Sequence, residues 1–303
     1  MTIIDATRAK LKAYRRVLFR PRYFPLYVAF ILFIILAAIC ARVVVYDASR
    51  HFSSARALSQ AFYEAEFDLA RVRSGEAQVP RIFIKSLPKD FNMVESPAEK
   101  KELFIKFLLP LILKANEDVM RERERFIALC DLDGVSGEDK EWLDFMRGMY
   151  KTEGGSKVEI LAKLDEVPVS MALAQAIQET GWGESRFLID GNAIFAEWTW
   201  GGQGMRPRAR ANGLRHRVKT FSSLEESVAS YVNNLNRTRY YAGFRRMRAK
   251  LRDSGKPLSG SVLASAMLHY STQKDAYILG VKKIIRDNKL HEFDNARLEE
   301  AGQ

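Results

Sequence analysis

Glu179 is the acidic residue whose local sequence best suits acid catalysis. Pro168 fits the first turn of a helix, where its missing N–H would have no partner anyway, and Gly181 fits the left-handed residue that ends one. Glu179 is therefore predicted to lie in the last helical turn. Unpaired carbonyls at that end disfavour negative charge, and Ile177 and Trp182 can exclude water, so we expect a raised pKa. A carboxylic acid that stays protonated near neutral pH can protonate a glycosidic oxygen.

The sequence around this glutamate also carries a recognisable signature. Residues 173–185, LAQAIQETGWGES, and residues 192–195, NAIF, resemble the LAQAxxESGWGxS…NNLFG pattern of bacterial peptidoglycan N-acetylglucosaminidases. Residues 221–241 and 270–277 resemble two further landmarks of that family, in the same order along the chain. Similarity to the Bax-type proteins of Gram-negative bacteria extends through residues 207–216, 230–236 and 293–299.

The resemblance implies a mainly α, lysozyme-like α+β domain with a small β-hairpin arm. It also implies hydrolysis of the β-1,4 bond after N-acetylglucosamine, with Glu179 as the general acid. A muramidase or lytic transglycosylase of the same fold, which also uses one catalytic glutamate, is an alternative. A glycan-binding scaffold with weak catalysis is another, because Ala196 stands where the family pattern has glycine and no second acid is obvious.

The second catalytic group is an open question. Glycoside hydrolysis normally uses two carboxylates, about 5 Å apart in retaining enzymes and about 6.5 to 9.5 Å apart in inverting ones. Glu197 is the only acid between Asp190 and Glu225, so it is the candidate, although a salt bridge to a neighbouring arginine explains it nearly as well. Because such pairing would make Glu197 a weak base, we slightly favour a substrate-assisted mechanism, in which the N-acetyl group attacks and Tyr270 orients it.

Aromatic side chains supply the candidates for sugar contacts. Flat rings can stack on sugars, and a phenol can orient an acetamide or stabilise an oxocarbenium ion. A place in the core is an alternative for Trp182, as is a buried structural role for Tyr277. The predicted substrate-binding residues are Trp182, Asn192, Phe195, Trp198, Trp200, Tyr240 and Tyr277.

Positive charge is unevenly distributed along the chain. The formal net charge is +11, of which residues 1–24 contribute +6 through seven Lys and Arg against one Asp. Residues 201–219 and 237–252 are basic segments without any acid. They are either solvated surface or the wall of a groove that attracts an anionic polymer such as peptidoglycan, whose muramic lactyl-peptides carry carboxylates. No nucleic-acid-binding module is recognisable, so no nucleic-acid partner is predicted.

Residues 25–46 are predicted to form a transmembrane helix. Residues 25–41 contain no charge, and Arg42 near one end can extend to the headgroups. The basic tail of residues 1–24 precedes the span, which predicts a cytoplasmic N-terminus, a bacterial inner-membrane location and a periplasmic catalytic domain. A cleaved signal peptide is less favoured, because the apolar stretch is long and an A-x-A cleavage site is poorly matched.

The remaining segments complete the predicted organisation. Residues 47–160 show helical spacing, residues 161–296 are assigned to the glucosaminidase domain, and residues 297–303 form a tail. Cys130 is the only cysteine after the span, so no intrachain disulfide is expected. No metal-binding pattern or phosphate-binding loop is visible, so we expect a reaction without a cofactor. Protein partners are not indicated.

Overall fold

The computed structural model describes residues 49–132, 134–150, 156–201, 204–207, 216–271 and 274–300. The predicted basic tail (1–24) and membrane span (25–46) lie outside these described residues. Within the part of the chain that is described, no helix combines the length and the apolar character needed to cross a bilayer.

The fold is mainly helical, as predicted. In chain order the helices are α1 (Ala55–Glu64), α2 (Leu69–Ser74), α3 (Pro97–Cys130), α4 (Gly137–Tyr150), α5 (Lys157–Lys163), α6 (Val169–Thr180), α7 (Arg186–Gly191), α8 (Leu224–Arg237), α9 (Ala242–Asp253), α10 (Gly260–Ala264) and α11 (Asp275–Asp287). Short 3₁₀ turns are formed by Phe91–Met93, Arg239–Tyr241 and Leu290–Phe293. The strands are β1 (Trp198–Thr199), β2 (Gly204–Met205) and β3 (Arg217–Lys219).

Helix α6 lies in the middle of the hydrophobic core. Every residue from Val169 to Ile177 is buried, and the helix packs against α3, α10, α11 and the turn Leu290–Phe293. The carboxylate of Asp294 holds its first turn by accepting hydrogen bonds from the backbone N–H and the hydroxyl of Ser170, both at 2.8 Å. Gly260 allows α10 to approach this turn, because a Cβ at residue 260 would lie 2.1 Å from Ser170 Oγ. The helix that carries Glu179 is therefore held on all sides.

Helix α3 begins with a serine cap, which the sequence Ser96-Pro97-Ala98-Glu99 itself predicts. Ser96 accepts a hydrogen bond from the backbone N–H of Glu99, and Pro97 occupies the first helical position. The helix runs through Pro110 and packs against both α6 and α8. Residues on both sides of the predicted boundary at 160 thus share one core, and Ser49–Glu299 is one compact unit. The division of this unit into two segments stays a prediction.

Part of the basic segment 237–252 has a role that neither sequence interpretation anticipated. Arg248 on α9 is fully buried, and its guanidinium donates hydrogen bonds to four backbone carbonyls within residues 162–166. These carbonyls lie at the end of α5 and just after it, where helical partners are missing. Arg245 is also buried and donates to two carbonyls at the end of α8. The expectation of a solvated surface is wrong for both arginines, and Arg248 is too deeply buried to line a groove.

The β-arm is a three-stranded sheet. The alternation of apolar and polar residues from Leu214 to Phe221 predicts only a short hairpin. Strand β3 lies between β1 and β2 and runs antiparallel to both. Val218 pairs with Trp198 on one side and with Met205 on the other. Residues 208–215 lie outside the described residues, and among them residues 214 and 215 belong to the predicted hairpin. Alternation can reveal β3, but strands of two residues give no periodicity to detect.

Candidate active site

Glu179 lies in the last turn of α6, as the sequence predicts. The helix ends at Gly181, whose φ of 59° is left-handed. Burial raises the pKa of the Glu179 carboxyl above its ordinary value, and a hydrogen bond with Tyr277 acts in the opposite direction. The predicted direction of the shift is confirmed. Glu179 therefore stays protonated to a higher pH than an exposed glutamate would.

A buried hydrogen-bond chain leads through the core to Glu179. Tyr231 donates its hydroxyl hydrogen to Oε1 of Gln175 at 2.7 Å, and Nε2 of Gln175 lies 3.1 Å from the hydroxyl oxygen of Tyr277. With Oε1 facing Tyr231, the amide presents N–H to Tyr277, and an N–H can only donate. Tyr277 therefore accepts from Gln175, and its single hydrogen is left for the hydrogen bond to Glu179. Gln175 thus orients the hydroxyl that contacts the acid.

Tyr270 lies beside Tyr277, with ring centroids 5.3 Å apart and 21° between the ring planes. Its hydroxyl donates to the carbonyl oxygen of Phe195 at 3.1 Å, so its hydrogen is engaged by the backbone while its oxygen can still accept. Phe195 is buried and stacks on Tyr231, with centroids 3.7 Å apart. Burial raises the pKa of both Tyr270 and Tyr277, so both phenols remain protonated. These contacts join the loop after α7 to the tyrosine cluster (Tyr231, Tyr270 and Tyr277) near Glu179.

Glu197 occupies a different environment from Glu179. Its Oε2 accepts a hydrogen bond from the Ser230 hydroxyl at 3.1 Å, and Lys219 donates to the same Ser230 oxygen at 2.9 Å. Burial raises the pKa of Glu197, while Lys219 and then Ser230 lower it. The expectation that arginine pairing makes Glu197 a weak base is wrong, because desolvation outweighs its cationic neighbour.

Two candidate residues, Trp182 and Asn192, and the loop residue Ala196 have left-handed backbone conformations. The φ angles are 62° at Trp182, 51° at Asn192 and 48° at Ala196. Asn192 ends α7, and its side-chain amide donates to the carbonyl of Phe221 at 3.1 Å. Trp182 packs edge-to-face on Phe104, with centroids 5.7 Å apart. Ala196 adopts a conformation that glycine accepts freely and other residues adopt at a cost of about 1–2 kcal/mol.

The candidate aromatics divide into exposed and buried groups. Trp198, Trp200 and Tyr240 are 51%, 73% and 55% exposed. One face of Trp198 is covered by the His216 ring, which stacks on it with centroids 4.4 Å apart. Trp198 and Trp200 lie 6.2 Å apart at the arm. Phe195 and Tyr277 are buried. Tyr277 belongs to the tyrosine cluster, and Phe195 stacks on Tyr231 of that cluster. The structure brings Tyr270 and Tyr277 to Glu179, and it leaves the two tryptophans on the surface.

Sequence reasoning missed several residues of this site. Gln175 lies inside the LAQA motif and Tyr231 inside the 221–241 landmark, so their positions were visible but their pairing was not. Ser230 and Lys219, which contact Glu197, carried no signal beyond their place in the landmark and the basic segment. Among the described residues, no group of three or more His, Cys, Asp or Glu could hold a metal ion.

Comparison with known proteins shows which family this chain resembles. Residues 155–290 match the family described as mannosyl-glycoprotein endo-beta-N-acetylglucosaminidase, or glucosaminidase. The chain contains a glucosaminidase-family domain. The chain is also similar to Protein bax of Escherichia coli (strain K12), with 27% identity over 210 residues that cover 67% of this chain and 75% of that protein. No solved structure gives a significant match, so the predicted likeness to lysozyme stays a prediction.

The glucosaminidase match covers the whole hydrogen-bond chain. Gln175, Glu179, Glu197, Tyr231 and the pair of residues 270 and 277 all lie within residues 155–290. Helix α3, which packs directly on α6, lies before the matched segment. The glucosaminidase domain of this chain is therefore packed against helices from outside the family segment.

Proposed function

We propose that the chain is a peptidoglycan hydrolase that cleaves the β-1,4 bond after N-acetylglucosamine, with Glu179 as the general acid. The observation that carries the proposal is the Glu179 carboxyl itself, which ends the central helix, has a pKa raised by burial and contacts the oriented hydroxyl of Tyr277. Membership in the glucosaminidase family supports the reaction class.

The surroundings of Glu179 suit both halves of a proton-transfer cycle. Burial favours the protonated acid before the reaction, when a hydrogen must be given to the glycosidic oxygen. After transfer, the carboxylate carries a negative charge, and the Tyr277 hydroxyl donates a hydrogen bond to it. Because Gln175 holds that hydroxyl from the other side, no reorientation is required during the cycle.

The direct test replaces Glu179 with Gln and uses Glu184→Gln as a matched control. Glu184 has an exposed side chain that pairs with Lys100, so the control makes the same chemical change a few residues away. Glu179→Gln should lower the rate of release from purified sacculi by about 10²- to 10⁴-fold or more, because only the transferable proton is removed. Glu184→Gln should cleave like the wild type. Wild-type rates in Glu179→Gln would contradict the proposal.

Analysis of the released fragments identifies the bond that is cut. Mass spectrometry should find N-acetylglucosamine at the reducing ends. Reducing-end muramic acid would instead indicate a muramidase, and anhydromuramic ends would indicate a lytic transglycosylase. Binding of sacculi without any release by the wild type would favour the glycan-binding scaffold.

The second catalytic group is tested at Glu197. If the acetamide of the substrate attacks, Glu197→Gln should retain most activity, Tyr270→Phe should be the damaging change, and a thiazoline analogue of the cyclised sugar should inhibit strongly. If Glu197 activates water, Glu197→Gln should lose about 10²- to 10⁴-fold in rate, and the thiazoline should be inert. We favour the acetamide, because Glu197 bonds to Ser230, whereas Glu179 belongs to the tyrosine cluster.

We further propose that residues 25–46 anchor the enzyme in the bacterial inner membrane with its catalytic domain in the periplasm. The support is the uncharged stretch and the basic segment before it. An enzyme reporter fused after Tyr46 or at residue 303 should be active only in the exported compartment. Cytoplasmic activity of the fusion at residue 303 would overturn this topology.

A further inference from the structure

A cavity of about 670 Å³ opens beside Glu197. The ends of α4 and α5, the later turns of α8 and the first turn of α9 contribute to its wall. Its polar lining includes Lys163, Glu197, Ser230, Asn233, Arg237 and Arg239. Apart from Glu197, the side chains that line this cavity have been given no functional role so far.

The wall of the cavity is strongly positive. Four cationic side chains line it, with Glu197 as the one carboxylate among the lining residues. Arg245 is held in the wall by its hydrogen bonds to backbone carbonyls, and Lys163 donates to the carbonyl of Tyr150. Arg237 and Arg239 are exposed. A surplus of positive charge on a concave wall attracts an anionic group, and arginine binds carboxylates in two-pronged geometry.

Glu197 adds a second requirement for a ligand. Its Oε2 accepts from Ser230, but Oε1 is buried and has no hydrogen-bond partner among the described residues. A buried acceptor without a donor is unfavourable, so a ligand that supplies an N–H or O–H here gains affinity. A fitting ligand therefore carries a negative charge and a hydrogen-bond donor close together. A peptide with free carboxylates has both.

The cavity adjoins the cluster around Glu179. Tyr241 directly precedes Ala242, which lines the cavity. The ring of Tyr241 lies 6.3 Å from that of Tyr270, which stacks on Tyr277. A ligand in the cavity would thus lie one layer of aromatic rings away from the acid.

We propose that this cavity binds the peptide stem of peptidoglycan, with stem carboxylates at Arg237 and Arg239 and an amide N–H at Oε1 of Glu197. The proposal rests on the proposed function and deepens it by naming the part of the substrate that is recognised. It assigns Glu197 to substrate binding. It also makes the stem a requirement for efficient cleavage, because a glycan strand without peptide lacks both the carboxylates and the amide.

The test compares two substrates with one pair of variants. The substrates are sacculi with intact stems and glycan strands whose stems have been removed by an amidase. The variants are Arg237→Gln combined with Arg239→Gln, and the control Lys250→Gln, which removes an exposed positive charge from α9 outside the cavity lining. Because charge-assisted hydrogen bonds contribute about 1.5–3 kcal/mol, the double variant should lose about 10-fold or more in kcat/KM on intact sacculi.

The substrate comparison decides the outcome. On stripped strands, the double variant should have the same kcat/KM as the wild type. For the wild type itself, kcat/KM should be at least about 10-fold lower on stripped strands than on intact sacculi. Equal losses on both substrates, or no loss on intact sacculi, would overturn the proposal.

A binding measurement separates this proposal from the proposed function. If the wild type cleaves neither substrate, the hydrolase assignment fails, and calorimetric titration with a soluble muramoyl peptide then tests the cavity alone. Binding that is lost in the Arg237→Gln, Arg239→Gln variant and retained in Lys250→Gln supports the stem site. Absence of binding to the wild type, or equal binding to all three proteins, overturns it.

Discussion

Replacing Tyr277 with Phe tests the hydrogen-bond chain that reaches Glu179. The change removes one hydroxyl, which accepts from Nε2 of Gln175 at 3.1 Å and donates to Glu179. Gln175 is fully buried, so water cannot readily replace the lost partner. Leaving a buried amide donor without a partner costs about 1–3 kcal/mol, and this is the expected loss of unfolding free energy. The phenyl ring keeps its stacking against Tyr270, so no cavity adds to the effect.

The loss should also depend on pH, through Glu179. The Tyr277 hydroxyl lowers the pKa of Glu179 against the larger effect of burial, so its removal raises that pKa further. A carboxyl with a raised folded-state pKa contributes stability below its ordinary pKa of 4.5, and this contribution is lost as pH rises through the folded-state pKa. The destabilisation by Tyr277→Phe should therefore be smallest below pH 4.5 and should grow as Glu179 ionises.

Urea unfolding followed by circular dichroism at several pH values measures both effects. Tyr63→Phe is the control, because Tyr63 is 79% exposed and its hydroxyl is open to water. In a Gln175→Leu background, Tyr277→Phe should cost about 1–2 kcal/mol less, since the amide that it would leave unpaired is already absent. A loss no larger than that of the control, or one that does not change with pH, would refute the proposed orientation of Tyr277.

Two further predictions concern stability. Ala196→Gly should raise the unfolding free energy by about 0.5–1 kcal/mol. The reason is that glycine relieves the left-handed strain at this residue, and this gain exceeds the cost of a more flexible unfolded chain. A thermal melt that shows destabilisation would contradict this prediction. Arg248→Met should lower the unfolding free energy by about 3–5 kcal/mol, because four backbone carbonyls lose their donor and Asp165 keeps only Arg252 as a cationic partner. In the same urea experiment, Lys250→Met at an exposed residue should change it by less than about 0.5 kcal/mol.

Local sequence determined the position and character of the candidate acid. The end of α6 follows from Gly181, because the left-handed residue that closes a helix is usually glycine. The apolar neighbours of Glu179 in the sequence indicate the direction of its pKa shift, although burial in the fold is what raises the pKa. The start of α3 follows in the same way from Ser96 and Pro97. Each of these features is indicated by residues within a few positions, which a single sequence displays directly.

Tertiary structure alone decided which distant side chains meet. Gln175 joins Tyr231, 56 residues later, to Tyr277, 102 residues later, and no periodicity encodes that pairing. Arg248 is buried because the end of α5 packs against it and supplies backbone carbonyls as acceptors. The sequence around Arg248 does not reveal this contact, so the basic segment resembles a charged surface. In the sequence, the visible feature of Glu197 is the arginine-rich segment that follows it. In the folded protein, Glu197 is largely removed from water, and one of its carboxylate oxygens has no hydrogen-bond donor among the described residues. Spacing reports the face of a helix on which a residue lies, but the desolvation and hydrogen bonding that set its chemistry depend on the elements packed against that face.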